Sequence, residues 1–266
     1  MNTVSKKNWI LLKELVKTDF KLRYQGSVLG YLWAVLRPLL MFAILYVVFA
    51  QVLRFGDGIP HYPVYLLVGT VIWNFFTECT GQGIHAIEQR GDLIRKISFP
   101  KYIVVVSATS TAVINVLINI CVAVIFALIN GVAPSLSWLL VPLSLVEIYI
   151  LALGISLLLG AINVKFRDIG SICEVITQAM FYAVPIIYPI SMVTASSVTV
   201  AKILLLNPVA QVIQDIRYNL VTTEAETSWD YLTGLWRIVP ILIVIVLFAV
   251  SVLYFKRKAK YFAEEV

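Results

Sequence analysis

The sequence predicts an all-α integral membrane protein. It is expected to have six transmembrane helices, an amphipathic interface helix near the N-terminus, two short external re-entrant helices before the last span, and both termini in the cytoplasm. Three observations lead to this class. Hydrophobic residues make up 60% of the chain and charged residues 14%, with a mean hydropathy of +0.90. That is more apolar material than a soluble core of this length needs. Six segments approach the roughly 20 apolar residues required to cross the hydrocarbon. The basic residues also sort to one side of the resulting topology. Residues 1–266 are read as a single integral membrane unit with no room for a soluble domain beside it.

Residues 8–24 form the predicted interface helix. At 100° per residue Trp9, Leu11, Leu12, Leu15, Val16, Phe20 and Leu22 fill one half of the wheel, while Lys13, Glu14, Lys17 and Lys21 fill the other. A helix with a Lys-rich face and a Trp/Phe/Leu face lies between headgroups and acyl chains. Gly26, Gly30 and Ala34 follow at every fourth residue. They read as a small-residue stripe for close helix approach, or alternatively as glycines marking a turn. The periodic N-terminal segment is not expected to be a cleavable signal.

The spans are placed at residues 29–53, 64–84, 102–129, 138–162, 169–190 and 238–255. On the cytoplasmic side lie Lys6, Lys7, Lys13, Lys17, Lys21, Arg23 and Arg37, then Arg90, Arg95, Lys96 and Lys101, then Lys165 and Arg167, and finally Lys256, Arg257, Lys258 and Lys260. Only Arg54, Lys202, Arg217 and Arg237 fall outside, which sets the orientation. Anionic headgroups account for the net charge of +6 without a nucleic-acid partner. Residues 200–221 divide at Asn207-Pro208 into two helices too short to span, which either re-enter the membrane or rest on its outer surface.

No catalytic constellation is visible. His61 and His85 fall on opposite sides of the membrane, no phosphate-cradling glycine loop is present, and Cys79, Cys121 and Cys173 lack metal spacing and read as packing residues. No cofactor is expected in this chain. Two intramembrane carboxylates stand out, because such groups are costly and face a bundle interior or a wet cavity. Glu147 reads equally as an interhelical hydrogen bond or a functional group. Glu78 is accompanied by Trp73, Asn74, Phe75 and Phe76, and aromatic faces beside amide and carboxylate groups suit a sugar surface, although aromatics also belt every membrane interface. Residues 88–100 contain a short helix expected over 92–97 and capped by Asp92, carrying Arg95 and Lys96 beside Leu93, Ile94 and Ile97. That mixture suits docking into a groove on a soluble partner.

The runs Phe20-Lys-Leu-Arg-Tyr-Gln-Gly-Ser-Val-Leu-Gly-Tyr-Leu-Trp33 with Arg37-Pro-Leu-Leu40, Trp73-Asn-Phe-Phe76, Leu93-Ile-Arg-Lys-Ile-Ser-Phe-Pro100, Asn163-Val-Lys-Phe-Arg-Asp-Ile169, and Pro185-Ile-Ile-Tyr-Pro189 with Asn207-Pro208 resemble the type 2 ABC permeases of the polysaccharide exporter family. That family handles O-antigen, teichoic acid and rhamnose-rich wall polysaccharides. The likeness covers nearly the whole chain and is nearest to the rhamnose-polymer branch. It implies a homodimer in the bacterial cytoplasmic membrane with two separate ABC ATPase subunits, which bind ATP and Mg, and an undecaprenyl-linked glycan as cargo. By the same resemblance, residues 88–100 are the coupling segment, through Asp92, Leu93, Ile94, Arg95 and Lys96 together with Arg167, and residues 200–221 are external gate helices. Trp33, Trp73, Asn74, Phe76, Glu78, Tyr182 and Tyr188 become channel or entry candidates. Arg23 and Arg37, at the cytoplasmic boundary, are candidates for the lipid pyrophosphate. The competing reading is a membrane-embedded enzyme of lipid-linked polysaccharide assembly.

Overall fold

The structure is a computed structural model and describes residues 3–265, leaving aside the side chains of 3–5 and 24. It is all-helical among the described residues. In chain order the helices are α1 (Thr3–Tyr24), α2 (Trp33–Leu45), α3 (Tyr62–Gln89), α4 (Gly91–Lys96), α5 (Tyr102–Ile129), α6 (Val141–Asn163), α7 (Asp168–Ala183), α8 (Ile190–Ser196), α9 (Val198–Leu205), α10 (Pro208–Leu220), α11 (Ser228–Tyr231), α12 (Val239–Lys258) and α13 (Phe262–Glu265). Four helical stretches are long and apolar enough to cross a membrane: Gly30–Val52, Tyr102–Ile129, Leu136–Asn163 and Gly234–Lys258. The chain is a multi-pass membrane protein.

α1 follows its predicted wheel in its middle turns, while Trp9 and Leu22, placed on the same apolar half, are exposed. Leu15 is buried, Leu11, Leu12 and Val16 are half-buried, and Lys13, Glu14 and Lys17 face outward. Two ion pairs fasten its last turns to α3: Asp19 with Arg90, and Arg23 with Glu78. The glycine stripe is corrected. Gly26 and Gly30 adopt φ of +81° and +48°, values that glycine reaches without strain. Neither approaches another helix, so they form the turn from α1 into α2; Ala34 alone is buried. Pro38 lies inside α2 and carries no N–H, so the carbonyl of Ala34, four residues back, loses its helical donor. Asn119 of α5 supplies one, its Nδ2 donating to Ala34 O at 3.0 Å.

α3 is the central post, packed between α5 and α6. It extends beyond the predicted 64–84 at both ends. Its middle is polar (Asn74, Thr77, Glu78, Thr80, Gln82), which is tolerable for a helix enclosed by other helices. Close approach to α6 depends on glycine: a Cβ on Gly83 would lie 2.2 Å from Ser156 Oγ, and one on Gly160 would lie 3.0 Å from the Gly83 carbonyl.

The predicted helix over 169–190 is also corrected. α7 stops at Ala183 because Val184 precedes Pro185 and turns extended, at φ −81° and ψ 140°. The Pro185 and Ile186 carbonyls beyond that break are taken by a residue of the second predicted short helix, where the sequence shows it only as an outside charge. Arg217 of α10 is completely buried. Its Nη1 donates to Pro185 O (2.6 Å), its Nη2 to Ile186 O (2.5 Å) and its Nε to Tyr65 O (3.0 Å). Its guanidinium lies 3.6 Å over the Tyr65 ring. A Cβ on Gly69 would meet Arg217 Nη2 at 2.4 Å, so the small residue on α3 makes room for the guanidinium. The two predicted short helices exist as α9 and α10. Asn207 Oδ1 caps α10 through Val209 N–H at 2.9 Å with Pro208 in its first turn. α10 is buried against α6 and α3 and does not lie on a surface.

Arg217→Met leaves the Pro185 and Ile186 carbonyls without donors, and Gly69→Ala collides with the guanidinium. Each is expected to lower folding stability by about 2–5 kcal/mol, and Arg217→Lys to recover little, since an ammonium neither forks nor stacks as a guanidinium does. Thermal unfolding in detergent measures this; wild-type melting of Arg217→Met contradicts it.

Candidate functional site

α1, α2, α3 and α5 enclose a cavity of about 750 Å³. Arg23 and Ser27 come from the end of α1 and its turn, Trp33 and Arg37 from α2, Asn74, Thr77 and Glu78 from α3, and Asn115 and Asn119 from α5. A second cavity of about 410 Å³ between α2, α3 and α7 is lined by Trp73, Thr177, Gln178, Phe181 and Tyr182. Met41, Asn74 and Thr77 line both, so the two form one groove. Its end near α1 is cationic and amide-rich, and its end at α7 is aromatic.

Glu78 has three partners in or beside the groove. Its Oε1 accepts from Arg23 Nη1 at 2.6 Å, Asn115 Nδ2 at 2.7 Å and Gln82 Nε2 at 3.0 Å. Arg23 and Glu78 both remain partly exposed on the wall. Asn115 and Asn119 stand one helical turn apart on α5, and Asn119 joins them by donating to Asn115 O at 2.8 Å as well as to Ala34 O. Sequence reasoning did not select Asn115, Asn119, Gln82 or Ser27. Two asparagines spaced i, i+4 in a helix with no other amide and no charge were the available signal.

The predicted aromatics divide. Trp33 lines the first cavity; Trp73 and Tyr182 line the second, with Trp73 6.1 Å from Phe181 and Phe181 5.3 Å from Tyr182. Phe76 is buried in the core beside Trp73 and lines neither cavity. Tyr188 also stands off the groove, its hydroxyl donating to Ala183 O at 2.9 Å and so capping the end of α7. Glu147 packs toward Gln211 and Asp215 of α10, away from the groove, and its Oε1 is buried without a partner. Cys79 is buried as expected, but Cys121 is exposed.

Residues 88–100, expected to dock a soluble partner, form a separate surface. α4 begins at Gly91, so Asp92 sits in its first turn and is not its cap. Ile94 is buried in a cluster with Ile87, Val104, Leu157, Phe255 and Phe262, and Leu93 is half-buried. Asp92, Arg95 and Lys96 face outward. Lys101 Nζ donates to Ile94 O (3.0 Å) and Ile97 O (3.4 Å) at the helix end, where a cation suits the dipole; burial lowers its pKa from the ordinary lysine value. Arg167 is exposed immediately before α7. Asn163 ties that loop to the end of α3, its Nδ2 donating to Glu88 Oε2 at 3.4 Å and its Oδ1 accepting from Gly170 N at 3.2 Å. Among the described residues no group of three His, Cys, Asp or Glu side chains converges on a metal position.

Asn119→Leu is expected to cost about 1–3 kcal/mol by orphaning the Ala34 carbonyl, and Pro38→Ala in the same chain to recover much of it by restoring the helical N–H. Equal melting losses with and without Pro38→Ala contradict the pairing.

A model of the ABC-2 type transporter family matches residues 10–221, from α1 to the end of α10. The O-antigen export system permease protein RfbA of Klebsiella pneumoniae is 31% identical over 229 residues, covering 85% of this chain and 86% of its own. The protein of the same name from Myxococcus xanthus is 32% identical over 198 residues, covering 74% and 75%. The polysialic acid transport protein KpsM of Escherichia coli is 22% identical over 185 residues, covering 68% and 70%. Four apolar helices, the groove and this similarity along most of the chain lead to one assignment: the protein belongs to the ABC-2 type transporter family.

Proposed function

We propose that this chain is the membrane subunit of an ATP-driven exporter that moves an undecaprenyl-linked cell-surface polysaccharide, of O-antigen, teichoic-acid or rhamnan type, from the cytoplasmic side outward. The groove between α2, α3 and α7 carries this reading. Its cationic end suits a lipid pyrophosphate through Arg23 and Arg37. Its amides and its Trp73–Phe181–Tyr182 cluster suit sugar hydroxyls and the apolar faces of sugar rings. The O-antigen and polysialic acid names of the relatives favour a glycan cargo.

In this reading there are six spans with both termini cytoplasmic. α3 is the second span, its polarity excused by enclosure. α7, about 24 Å long at 1.5 Å per residue, is the fifth, completed by the irregular 184–190 segment that Arg217 shelters; broken backbone at membrane depth is tolerated only when buried in protein. Two copies meet across the exposed apolar faces of α2 (Leu40, Ile44) and α7 (Ile172, Val175, Ile176), so that their grooves join into one path. Two ABC ATPase subunits, holding ATP and Mg, dock on Asp92, Leu93, Arg95, Lys96 and Arg167. Their closure pushes α4, whose Ile94 is keyed into the core beneath it, and tilts α2 and α7. α9 and α10 close the outer end.

Replacing Arg23 and Arg37 together by Gln is expected to abolish surface polysaccharide while the ATPase still co-purifies; normal export by that variant sinks the pyrophosphate assignment. Reversing Arg95 and Lys96 to Glu is expected to do the opposite, lowering recovery of the ATPase several-fold with the permease still folded. Undiminished co-purification places the docking surface elsewhere.

A further inference from the structure

We propose that Glu78 is an internal counterpart of the cargo's phosphate: it holds Arg23 when no phosphate competes for it and yields Arg23 to a lipid-linked pyrophosphate entering the cavity, so that the cavity selects ligands by charge. This rests on the reading of the cavity as the headgroup site.

The geometry supports exchange over a fixed bridge. An ion pair sealed inside protein is locked, because parting it strands a buried charge. Here the Arg23 and Glu78 side chains keep 32% and 21% of their exposure on the wall of a 750 Å³ cavity, a size typical of small-ligand sites. When Arg23 leaves, the same Glu78 oxygen keeps its two neutral donors, Asn115 and Gln82, so the carboxylate is not abandoned. Arg23 has a hinge: it is in the last turn of α1, and Asp19, one turn earlier, is held independently by Arg90. Swinging the guanidinium therefore leaves the helix docked. Arg37 lines the same cavity, and no carboxylate among the described residues lies within ion-pair distance of it. A pyrophosphate thus meets two guanidinium groups in place of one carboxylate, with bidentate geometry available to each. A neutral lipid alcohol offers Arg23 nothing to exchange for, and a monophosphate offers less.

The test uses the permease assembled with its ATPase in lipid nanodiscs and radiolabelled geranylgeranyl pyrophosphate, with geranylgeranyl monophosphate and geranylgeraniol as competitors. Wild type is expected to bind the pyrophosphate saturably and to rank the competitors monophosphate above alcohol. Glu78→Gln keeps the acceptor for Asn115 and removes the charge. It is expected to bind the pyrophosphate about tenfold tighter and to discriminate less between pyrophosphate and monophosphate, with competition by the alcohol unchanged. Glu78→Asp, a shorter carboxylate, should shift binding in the same direction by less. In an Arg23→Gln background Glu78→Gln should bring no gain. If wild type binds the pyrophosphate and both Glu78 variants bind it equally or more weakly, Glu78 is a structural partner only and the exchange is overturned while the headgroup site stands. If wild type shows no saturable pyrophosphate binding, the reading of the cavity falls and the exchange with it.

Discussion

A hydrogen-bonding group carried into the bilayer is costly unless it finds a partner within the protein, and much of the architecture around α3 follows from that cost, with Glu147 Oε1 left as an exception. Glu78 is satisfied from α1, α5 and its own helix. The carbonyl that Pro38 orphans in α2 is satisfied from α5. The carbonyls freed where α7 breaks before Pro185 are satisfied by one arginine from α10. These contacts set where α1, α2, α7 and α10 can stand relative to α3, and the groove is the space left between the first three of them. Polar groups destabilise such a chain when unpaired, and here their pairings decide its tertiary arrangement.

The same cost explains how charge and aromatic surface are distributed. At the cationic end Arg23 pairs with Glu78, whose carboxylate also accepts from Asn115 and Gln82, so the cavity wall is polar and its one ion pair stays partly exposed. At the far end three rings stand beside Thr177 and Gln178: Phe181 contacts both Trp73 and Tyr182, and Phe76 braces Trp73 from the core side. The proposed docking surface lies apart from the groove but shares the bundle's packing: Ile94 and Phe262 belong to one cluster with the ends of α3, α5, α6 and α12, so a partner pushing on α4 would act on several helices together.

The elements legible in the sequence are those written locally. Hydropathy gave α5 at residues 102–129 and the long apolar cores of α2, α6 and α12, and periodicity gave the inward and outward faces of α1. Asn207-Pro208 announced the start of α10, and Arg23, Trp33, Arg37, Trp73, Asn74, Glu78 and Tyr182 do line the groove. What was not legible depends on partners distant in the chain. Arg217 was read as one outside charge, because nothing near it in sequence reveals that Tyr65, 152 residues away, offers it a carbonyl and a ring. The Gly26–Gly30 spacing fits a helix stripe as well as a turn, and only the backbone angles separate them. Asn115 and Asn119 looked incidental until Glu78 and Pro38 supplied the atoms they bind. Phe76 stands off the groove because aromatic composition does not say which face of a helix a ring occupies, and Tyr188 because the helix ends at Ala183 and its hydroxyl turns back onto that end.

The central claim is that cargo passes along the groove between α2, α3 and α7. The most direct measurement places a photo-crosslinking amino acid at single positions during active export and probes the captured product with a stain or antibody for the surface glycan. Positions 74, 177 and 182, on the groove, are predicted to capture glycan in an ATP-dependent way. Positions 143 and 246, exposed apolar sites on α6 and α12, are predicted to capture lipid alone. Glycan captured equally at 143 and 246, or absent from all three groove positions while export proceeds, would contradict the account.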